Sequence, residues 1–500
     1  MRRTVETIVV AGLLCAAVSC GSKEPQQSAP AVLKQQDAAE IAEKKTEEPS
    51  LAGRQVYLAN CAGCHGKLLE GASASPLVKA NWIYGRDMFS IGNNIRNGIP
   101  SAGMPSWGEV LSIAELTDLF NYIIEAQTGP VGVAEPFPDF IETKDYRLKA
   151  ETITAEALVE PWGIEFIDAR NALITENSGT LFWMVDGVID PEPITGLPPV
   201  DLATSTGGLF DLALDPDYAE NGWVYIALGH SEDPEDPASP GMTRVIRGRV
   251  NGHEWTDTQY LFRAPESYEV GGSVHWGGRL LFDKAGNLYF SIGDMSQPAA
   301  SQDLGKPTGK VFRIKTDGSA VENNPFASDD PITQRIFSIG NRNVQGIAQD
   351  PATGAIWASE HGPQGGDELN ILKVGLNYGW PIATFGVDYD GSIISEHAEM
   401  DGVESPVRHW TPAPAVSALE FVTSDLFPKW RNDLLMGSLS REQLYRFVIE
   451  GEQVIDEENL LKGYGRIRDV KFGPDGALYL ALNNPGAIVR LTPVETTPKE

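Results

Sequence analysis

The chain has 500 residues, enough for two or three domains with cores of their own. Its 69 acidic residues outnumber 39 basic ones. The formal net charge of −30 argues against a nucleic-acid partner, which calls for a basic face, and suits a soluble surface that repels anions.

The N-terminus places Arg2 and Arg3 before an apolar run from Ile8 to Val18, followed by Ser19-Cys20-Gly21. A charged start, a short apolar core and a small-residue exit predict a secretory signal over residues 1–19, and the run is too short to cross a bilayer. Ala17-Val18-Ser19-Cys20 resembles a bacterial lipobox, which makes Cys20 the lipidated first residue of the mature chain and its membrane anchor. Ordinary signal cleavage is the alternative. Gly21 and Ser22 carry no inner-membrane retention signal, so the expectation is a periplasm-facing lipoprotein of the outer membrane in a bacterial cell envelope. Residues 20–50 are rich in Gln, Ala, Glu, Lys, Pro and Ser and read as a disordered tether.

Residues 51–128 have a helical pattern and contain Cys61-Ala62-Gly63-Cys64-His65. This C-x-x-C-H arrangement attaches haem c: each thiol forms a thioether, and the adjacent His65 ligates the iron. Zinc would need further ligands nearby, and the next His after His65 is His230. A redox C-x-x-C would need a βαβ setting, which the pattern lacks. Ile113 to Ala126 predicts an amphipathic helix through Leu116, Leu119, Phe120 and Ile123, with Ser112 and Glu115 as a capping box. The sixth iron ligand is expected at Met104, within Gly103-Met104-Pro105-Ser106-Trp107-Gly108, which resembles the Met-Pro-aromatic loop of small electron-transfer cytochromes c. Met88 is assigned to helix packing instead. Cys15 leaves with the signal, Cys20 takes lipid, and Cys61 and Cys64 take haem, so no thiol remains for a disulfide.

Residues 129–145 carry Pro130, Pro136 and Pro138 and read as a linker. The character then changes to short β runs and turns. A loose strand–turn–strand repeat occurs at 163–166, 211–227, 279–292, 346–358, 418–437 and 469–482. Its clearest copies are Leu281-Phe282-Asp283-Lys284-Ala285-Gly286-Asn287-Leu288-Tyr289 and Lys471-Phe472-Gly473-Pro474-Asp475-Gly476-Ala477-Leu478-Tyr479. Six copies predict an all-β six-bladed β-propeller over 146–495, following a small all-α cytochrome c domain. A sandwich is the alternative, but the repeated region is too long for one.

Four segments of the propeller carry chemistry. They are Val274-His275-Trp276-Gly277-Gly278-Arg279 with Ser291-Ile292-Gly293-Asp294, Ile339-Gly340-Asn341-Arg342-Asn343, Glu360-His361-Gly362-Pro363-Gln364-Gly365-Gly366-Asp367-Glu368 with Asn377-Tyr378-Gly379-Trp380-Pro381, and Arg466-Ile467-Arg468. In this order they resemble the soluble, pyrroloquinoline quinone (PQQ)-dependent aldose sugar dehydrogenases of the glucose/sorbosone dehydrogenase family. The resemblance runs from about Val159 to Pro493 and rests on no single motif. It implies a six-bladed propeller with PQQ in a cleft at one end. It also implies that His275 is the catalytic base, oriented by Asp294. Arg342, Arg466 and Arg468 would then hold the cofactor's carboxylates, with Asn343 beside Arg342 and Tyr389 lining the cofactor. Calcium would lie at the carbonyls of Gly362 and Pro363, with a second calcium near Glu368 and Tyr378. His361 has a structural role by the same resemblance.

The chemistry agrees with these residue types. A guanidinium fork suits carboxylates, a base working near neutrality suits His, and oxygen-only ligands suit Ca²⁺. Two positions depart from the family. Thr206, in Ser205-Thr206-Gly207-Gly208, stands where Gln is usual, and Ser440 stands where Lys is usual, with Arg441 next to it as a substitute. The leading reading is a quinohaemoprotein. It oxidises an aldose at C1 and passes electrons to its own haem and then to a downstream cytochrome or respiratory acceptor. The alternatives are a propeller with a decayed cofactor site that binds a glycan or protein, and an oxidoreductase for a non-sugar alcohol.

Overall fold

The structure, a computed structural model, describes residues 51–65, 69, 74, 77, 88–99, 104–108, 110–128, 137–155, 157–202, 206–234, 236, 238–271, 274–388, 392–483 and 486–494. The expected signal, the tether and Cys20 lie outside these residues.

The helical region holds α1 (Leu51–Asn60), α2 (Ala62–His65), α3 (Met88–Asn97) and α4 (Ile113–Thr128). Tyr57, Ile91, Ile95, Leu119, Tyr122 and Ile123 are buried together as its core, which gathers the apolar faces of α1, α3 and α4. Tyr57 meets Tyr122 with ring centroids 5.4 Å apart. The capping box forms as expected. The Ser112 N–H donates to Glu115 Oε2 at 2.9 Å, and the Glu115 N–H donates to Ser112 Oγ at 3.3 Å.

Beyond the helices, five sheets of four strands and one of five are built entirely from antiparallel pairs of sequence-adjacent strands, apart from the last. The first strands of the sheets are Pro161–Phe166, Leu209–Leu214, Leu280–Phe282, Val344–Gln349, Val416–Phe421 and Arg466–Phe472, and they adjoin one another in a closed ring. This is a six-bladed β-propeller, numbered here blade 1 to blade 6 in that order. The six sequence repeats fall on these inner strands and the strands that follow them. The repeated Asp closes the intervening turn. Asp283 Oδ1 accepts the N–H groups of Ala285 and Asn287, and Asp475 Oδ1 accepts that of Ala477.

Hydroxyl groups on the strands tie four of the blades to the next one. Thr175 of blade 1 donates to Phe210 O of blade 2 at 2.6 Å, and Ser291 of blade 3 donates to Val344 O of blade 4 at 3.0 Å. Ser359 of blade 4 donates to Ser417 O of blade 5, and Ser417 Oγ donates in turn to Ile467 O of blade 6. These groups satisfy backbone carbonyls that the sheet ladders leave over.

Blade 6 closes the ring with strands from both ends of the domain. Arg147–Ile153 pairs with Ala487–Val494, from Arg147 opposite Val494 to Ile153 opposite Ile488. Phe140–Glu142 adds a fifth strand outside it. The linker expected through residue 145 is therefore shorter, and its last part belongs to the propeller. Ile141 is the reason, since it is buried in the blade 5–blade 6 core while Phe140 and Glu142 face outward. Leu148, on the closing strand, is fully buried in the same core. Leu148→Ala is expected to cost about 3 kcal/mol of propeller stability, read as a lower midpoint in chemical denaturation. An unchanged midpoint would mean that this closure carries no stability.

Candidate functional site

In the helical region one turn carries both thiols and the imidazole. Cys61 O accepts the N–H groups of Cys64 at 3.1 Å and His65 at 2.9 Å. Both cysteines are free, Cys61 half-buried and Cys64 exposed, as covalent attachment of haem requires. Met104 is held by an antiparallel bridge, in which its N–H and C=O exchange hydrogen bonds with Ile99 at 3.1 and 2.9 Å. The segment after it is strapped to the end of α3. Trp107 and Gly108 donate to Ile95 O and Arg96 O at 3.1 and 2.8 Å, and Ser106 Oγ adds a bond to Arg96 O at 2.8 Å. Gly98 ends α3 with φ at 73°, and a Cβ there would lie 2.6 Å from Pro105 C and Ser106 N.

In the propeller, the chemistry-bearing residues lie at the starts of inner strands, in loops that join blades and in loops within blades. Several inner strands carry a β-bulge near their first residues, with register shifts between Pro161 and Gly163, Leu209 and Leu212, Val344 and Gly346, Val416 and Leu419, and Ile467 and Asp469. A bulge breaks the alternation of faces and re-aims the extra residue. Trp162, Gln345 and Arg468 occupy such positions.

His275 and Asp294 come together from two loops of blade 3. His275 Nδ1 lies 2.8 Å from Asp294 Oδ1, with the His side chain 20% exposed and the Asp side chain 2%. Nε2 has no hydrogen-bond partner among the described residues, and the ring keeps some exposure while the carboxylate is sealed inside. The surrounding backbone is strained, with φ at 65° for His275, 51° for Met295 and 60° for Ser296. Such positions cost about 1 kcal/mol or more each and persist where the fold over-determines them. Burial pushes Asp294 up, but the His275 hydrogen bond and charge, Arg342 and the Trp380 indole outweigh it and hold the carboxyl below its ordinary value. Burial, reinforced by the Arg342 charge and opposed by Asp294, lowers His275, so the imidazole is held neutral.

Arg342 is buried, and its Nη1 donates to His361 O at 3.2 Å and Gly362 O at 2.7 Å. Its backbone N–H is taken by Glu360 Oε1 at 2.7 Å. Arg468 donates from Nη1 to Gln345 Oε1 at 3.0 Å, and burial together with the neighbouring Arg466 charge brings it down to about 9. The Nε atoms of Arg342 and Arg468 are buried without a hydrogen-bond partner among the described residues. Asn343 does not point at an arginine. Its Oδ1 accepts Gly277 N–H at 3.0 Å and Gln345 Nε2 at 3.2 Å, locking the loop that carries His275. His361 Nε2 donates to Val416 O at 2.6 Å, which fits a structural role.

The loop 362–366 is tight because Gly365 and Gly366 adopt φ of 87° and 73°. Asp367 fastens it, with Oδ1 accepting Gly362 N–H at 2.8 Å and Oδ2 accepting Val416 N–H at 3.0 Å. Arg342, Glu360, Gly362, Glu368, Tyr378 and Trp380 line one small cavity beside this loop.

With this geometry in view, residues 158–490 match the family Glucose / Sorbosone dehydrogenase. The chain belongs to this family. Residues 49–123 match Cytochrome C oxidase, cbb3-type, subunit III. Over 348 residues the chain is 37% identical to Aldose sugar dehydrogenase YliI of Escherichia coli (strain K12), covering 68% of this chain and 92% of that protein. The crystal structure of the soluble aldose sugar dehydrogenase from Escherichia coli in the apo-form has a TM-score of 0.64 and 34% identity, covering 69% of this chain and 100% of that one. The PQQ-bound form of aldose sugar dehydrogenase from Streptomyces coelicolor has a TM-score of 0.55 and 26% identity, covering 69% of this chain and 98% of that one. The protein thus joins a sugar-dehydrogenase propeller to a cytochrome c region.

The donor set of this glucose/sorbosone dehydrogenase propeller fits a polycarboxylate such as PQQ, because two guanidiniums, Arg342 buried and Arg468 half-buried, have buried Nε atoms without a partner among the described residues. A calcium ion at this loop would have to draw mainly on backbone oxygens. Among the described residues no group of three or more His, Cys, Asp or Glu side chains has metal-binding geometry. Gly362 O accepts one bond from Arg342 at 2.7 Å and keeps a second lone pair, while the Tyr378 hydroxyl is committed to Ile371 O at 2.7 Å, so a cation would draw on the Gly362 carbonyl and the Glu368 side chain. Burial raises Glu368 to about 8 and Glu360 to about 7, an arrangement that a nearby cation would relieve.

The two departures are visible. Thr206 is exposed, and Ser440 Oγ contacts Ala413 O at 3.3 Å. Arg441 donates to Pro412 O at 2.8 Å, and Arg466 is half-buried at the start of its strand. Tyr389 lies outside the described residues.

Sequence reasoning gave no role to Arg279 beyond its place after two glycines. The structure makes it the buried hub beneath the site, bonded to Asp469 Oδ1 at 3.0 Å and to Arg468 O at 3.0 Å, with Asp211 Oδ1 at 3.4 Å. Arg279→Met would leave two buried carboxylates unpaired. It is expected to cost about 3–5 kcal/mol at neutral pH, and less in acid, where Asp211, raised by burial to about 6, becomes neutral. Denaturation midpoints across pH read this, and a loss independent of pH would contradict it.

Proposed function

We propose that the chain is a quinohaemoprotein that oxidises an aldose sugar at C1 and passes electrons through its own haem c to a respiratory acceptor. One observation carries this reading: the His275–Asp294 pair stands beside the buried Arg342, and Arg342 and the half-buried Arg468 each carry a buried Nε without a partner among the described residues.

His275 accepts the C1 hydroxyl proton at Nε2, since Nδ1 is committed to Asp294. Asp294 stays ionised and holds the imidazole in that tautomer. Arg342 and Arg468 hold carboxylates of the cofactor, with Arg466 at the edge. PQQ, when bound, supplies the ortho-quinone that takes the C1 hydride, with Ca²⁺ beside the Gly362 and Pro363 carbonyls as its polarising ion. His65 and Met104 are the haem iron ligands in this reading, and Cys61 and Cys64 its thioether anchors. A linker of roughly 15 residues or fewer keeps the cytochrome at high effective concentration near the propeller. The acidic surface favours a basic electron acceptor, and lipid at Cys20 would hold the enzyme on a membrane facing the periplasm.

His275→Ala is expected to lower sugar turnover by about 10²-fold or more while PQQ still binds in the presence of Ca²⁺. Near-normal turnover would end the assignment of the base. Because burial lowers His275 from 6.5, the acid limb of kcat/KM is expected below that value, and a limb above it would contradict a neutral buried base. Met104→Ala is expected to abolish the low-spin Met-ligated haem spectrum, and an intact spectrum would place the sixth ligand elsewhere. A purified chain that takes up no PQQ would favour the glycan- or protein-binding reading, which the Thr206 and Ser440 departures motivate.

A further inference from the structure

Trp380 sits in the loop Asn377-Tyr378-Gly379-Trp380-Pro381 and has no part in the chemistry described so far. It is 7% exposed, and its indole N–H donates to Asp294 Oδ2 at 2.7 Å. The other oxygen, Oδ1, meets His275 Nδ1 at 2.8 Å and accepts the Ser296 N–H at 3.0 Å. Each carboxylate oxygen therefore has its own donors, and rotating the group breaks bonds on both sides. Arg342 meets Asp294 through backbone, its carbonyl accepting the Asp294 N–H at 2.7 Å. The side-chain donor to Oδ2 is thus an uncharged indole.

Trp380 is itself fixed. Its backbone N–H donates to Gly340 O at 2.8 Å, and its carbonyl accepts Gln302 Nε2 at 2.7 Å. Gln302 Oε1 in turn accepts Asn377 Nδ2 at 2.7 Å. The indole face lies 5.2 Å from the Arg342 guanidinium carbon. A phenyl ring would fill most of the same space, so the distinctive contribution of tryptophan here is the N–H.

We propose that Trp380 is a positioning residue for the base: its indole N–H clamps the Asp294 carboxylate so that His275 is held with Nδ1 protonated and Nε2 bare toward the cleft. Its effect on turnover rests on the sugar-oxidation reading, whereas its effect on the His275 imidazole does not. The charged or titratable groups that face His275 are Asp294, Arg342 and His361, and Glu360 also faces Asp294. The indole N–H draws charge from the carboxylate and weakens its pull on an imidazolium. Removing that N–H should make His275 easier to protonate.

The test is an NMR titration of the His275 ring nitrogens in the full-length protein without PQQ. Trp380→Phe is expected to raise the half-protonation pH of His275 by about 0.5 unit, and to leave it unmoved when introduced into Asp294→Ala. In the PQQ-loaded enzyme the same change should lower kcat several-fold with KM little altered. An identical titration in wild type and Trp380→Phe would overturn the proposal. So would an undiminished shift in the Asp294→Ala background, which would assign the effect to the Arg342 contact. Should Trp380→Phe not fold, the wild-type Trp380 indole N–H signal gives the same answer. It must follow the His275 titration and move in Asp294→Asn, and a signal indifferent to both would refute the clamp. Lack of sugar turnover in wild type would sink the functional reading and leave the imidazole measurement intact.

Discussion

A single buried guanidinium holds the centre of the propeller. Arg279, from blade 3, bonds to Asp469 and to Arg468 O in blade 6, lies against Asp211 in blade 2, and donates to Gln345 O in blade 4 at 2.9 Å. Its carbon sits 4.3 Å from the Trp162 ring of blade 1. Burying such a charge is costly unless it is fully bonded, and here the guanidinium meets two carboxylates, two carbonyls and an aromatic face. The partners are fixed in their turn, since Asp211 Oδ2 accepts Leu280 N–H and Asp469 Oδ2 accepts Ile164 N–H, each at 2.9 Å. The same residue that joins the blades therefore sets the backbone from which Arg468 and Gln345 project into the site.

Above this hub, polar groups are spent in two different ways. Asp367, Asn343 and His361 are saturated by backbone and side-chain partners, and they shape the loops. The Nε atoms of Arg342 and Arg468 lack protein partners among the described residues, and so does Nε2 of the partly exposed His275. A site that satisfies its scaffold and leaves its reactive edge unpaired is organised for a ligand before the ligand arrives. The strained backbone at His275, Met295 and Ser296 belongs to the same arrangement.

Chain-local features were legible in the sequence. The Cys61–His65 spacing, the Ser112–Glu115 box and the Asp-Gly turns each depend on residues a few positions apart, and all three form in the structure. The six repeats could be counted because the second strands of the blades are buried along their length, as in Ile356–Glu360 and Leu478–Asn483. Outer strands such as Gln453–Lys462 face solvent and carry a weak pattern, so blade widths stayed hidden. Phe140–Glu142 escaped because a three-residue strand beside prolines has one buried side chain to announce it. The bulges at Gln345 and Arg468 break the alternation that pattern-reading relies on. The Trp380–Asp294 bond joins residues 86 positions apart, and a tryptophan in a turn gives no sign of what its N–H will meet.

The central claim is that one chain carries electrons from sugar to haem. The direct measurement is optical: oxidised full-length protein, supplied with PQQ and Ca²⁺, is mixed with a panel of aldoses while the haem spectrum is followed. Reduction of the haem that requires both PQQ and a sugar is the predicted result. A haem that dithionite reduces but that stays oxidised with every aldose, in protein that a titration shows to be loaded with PQQ, would contradict the account.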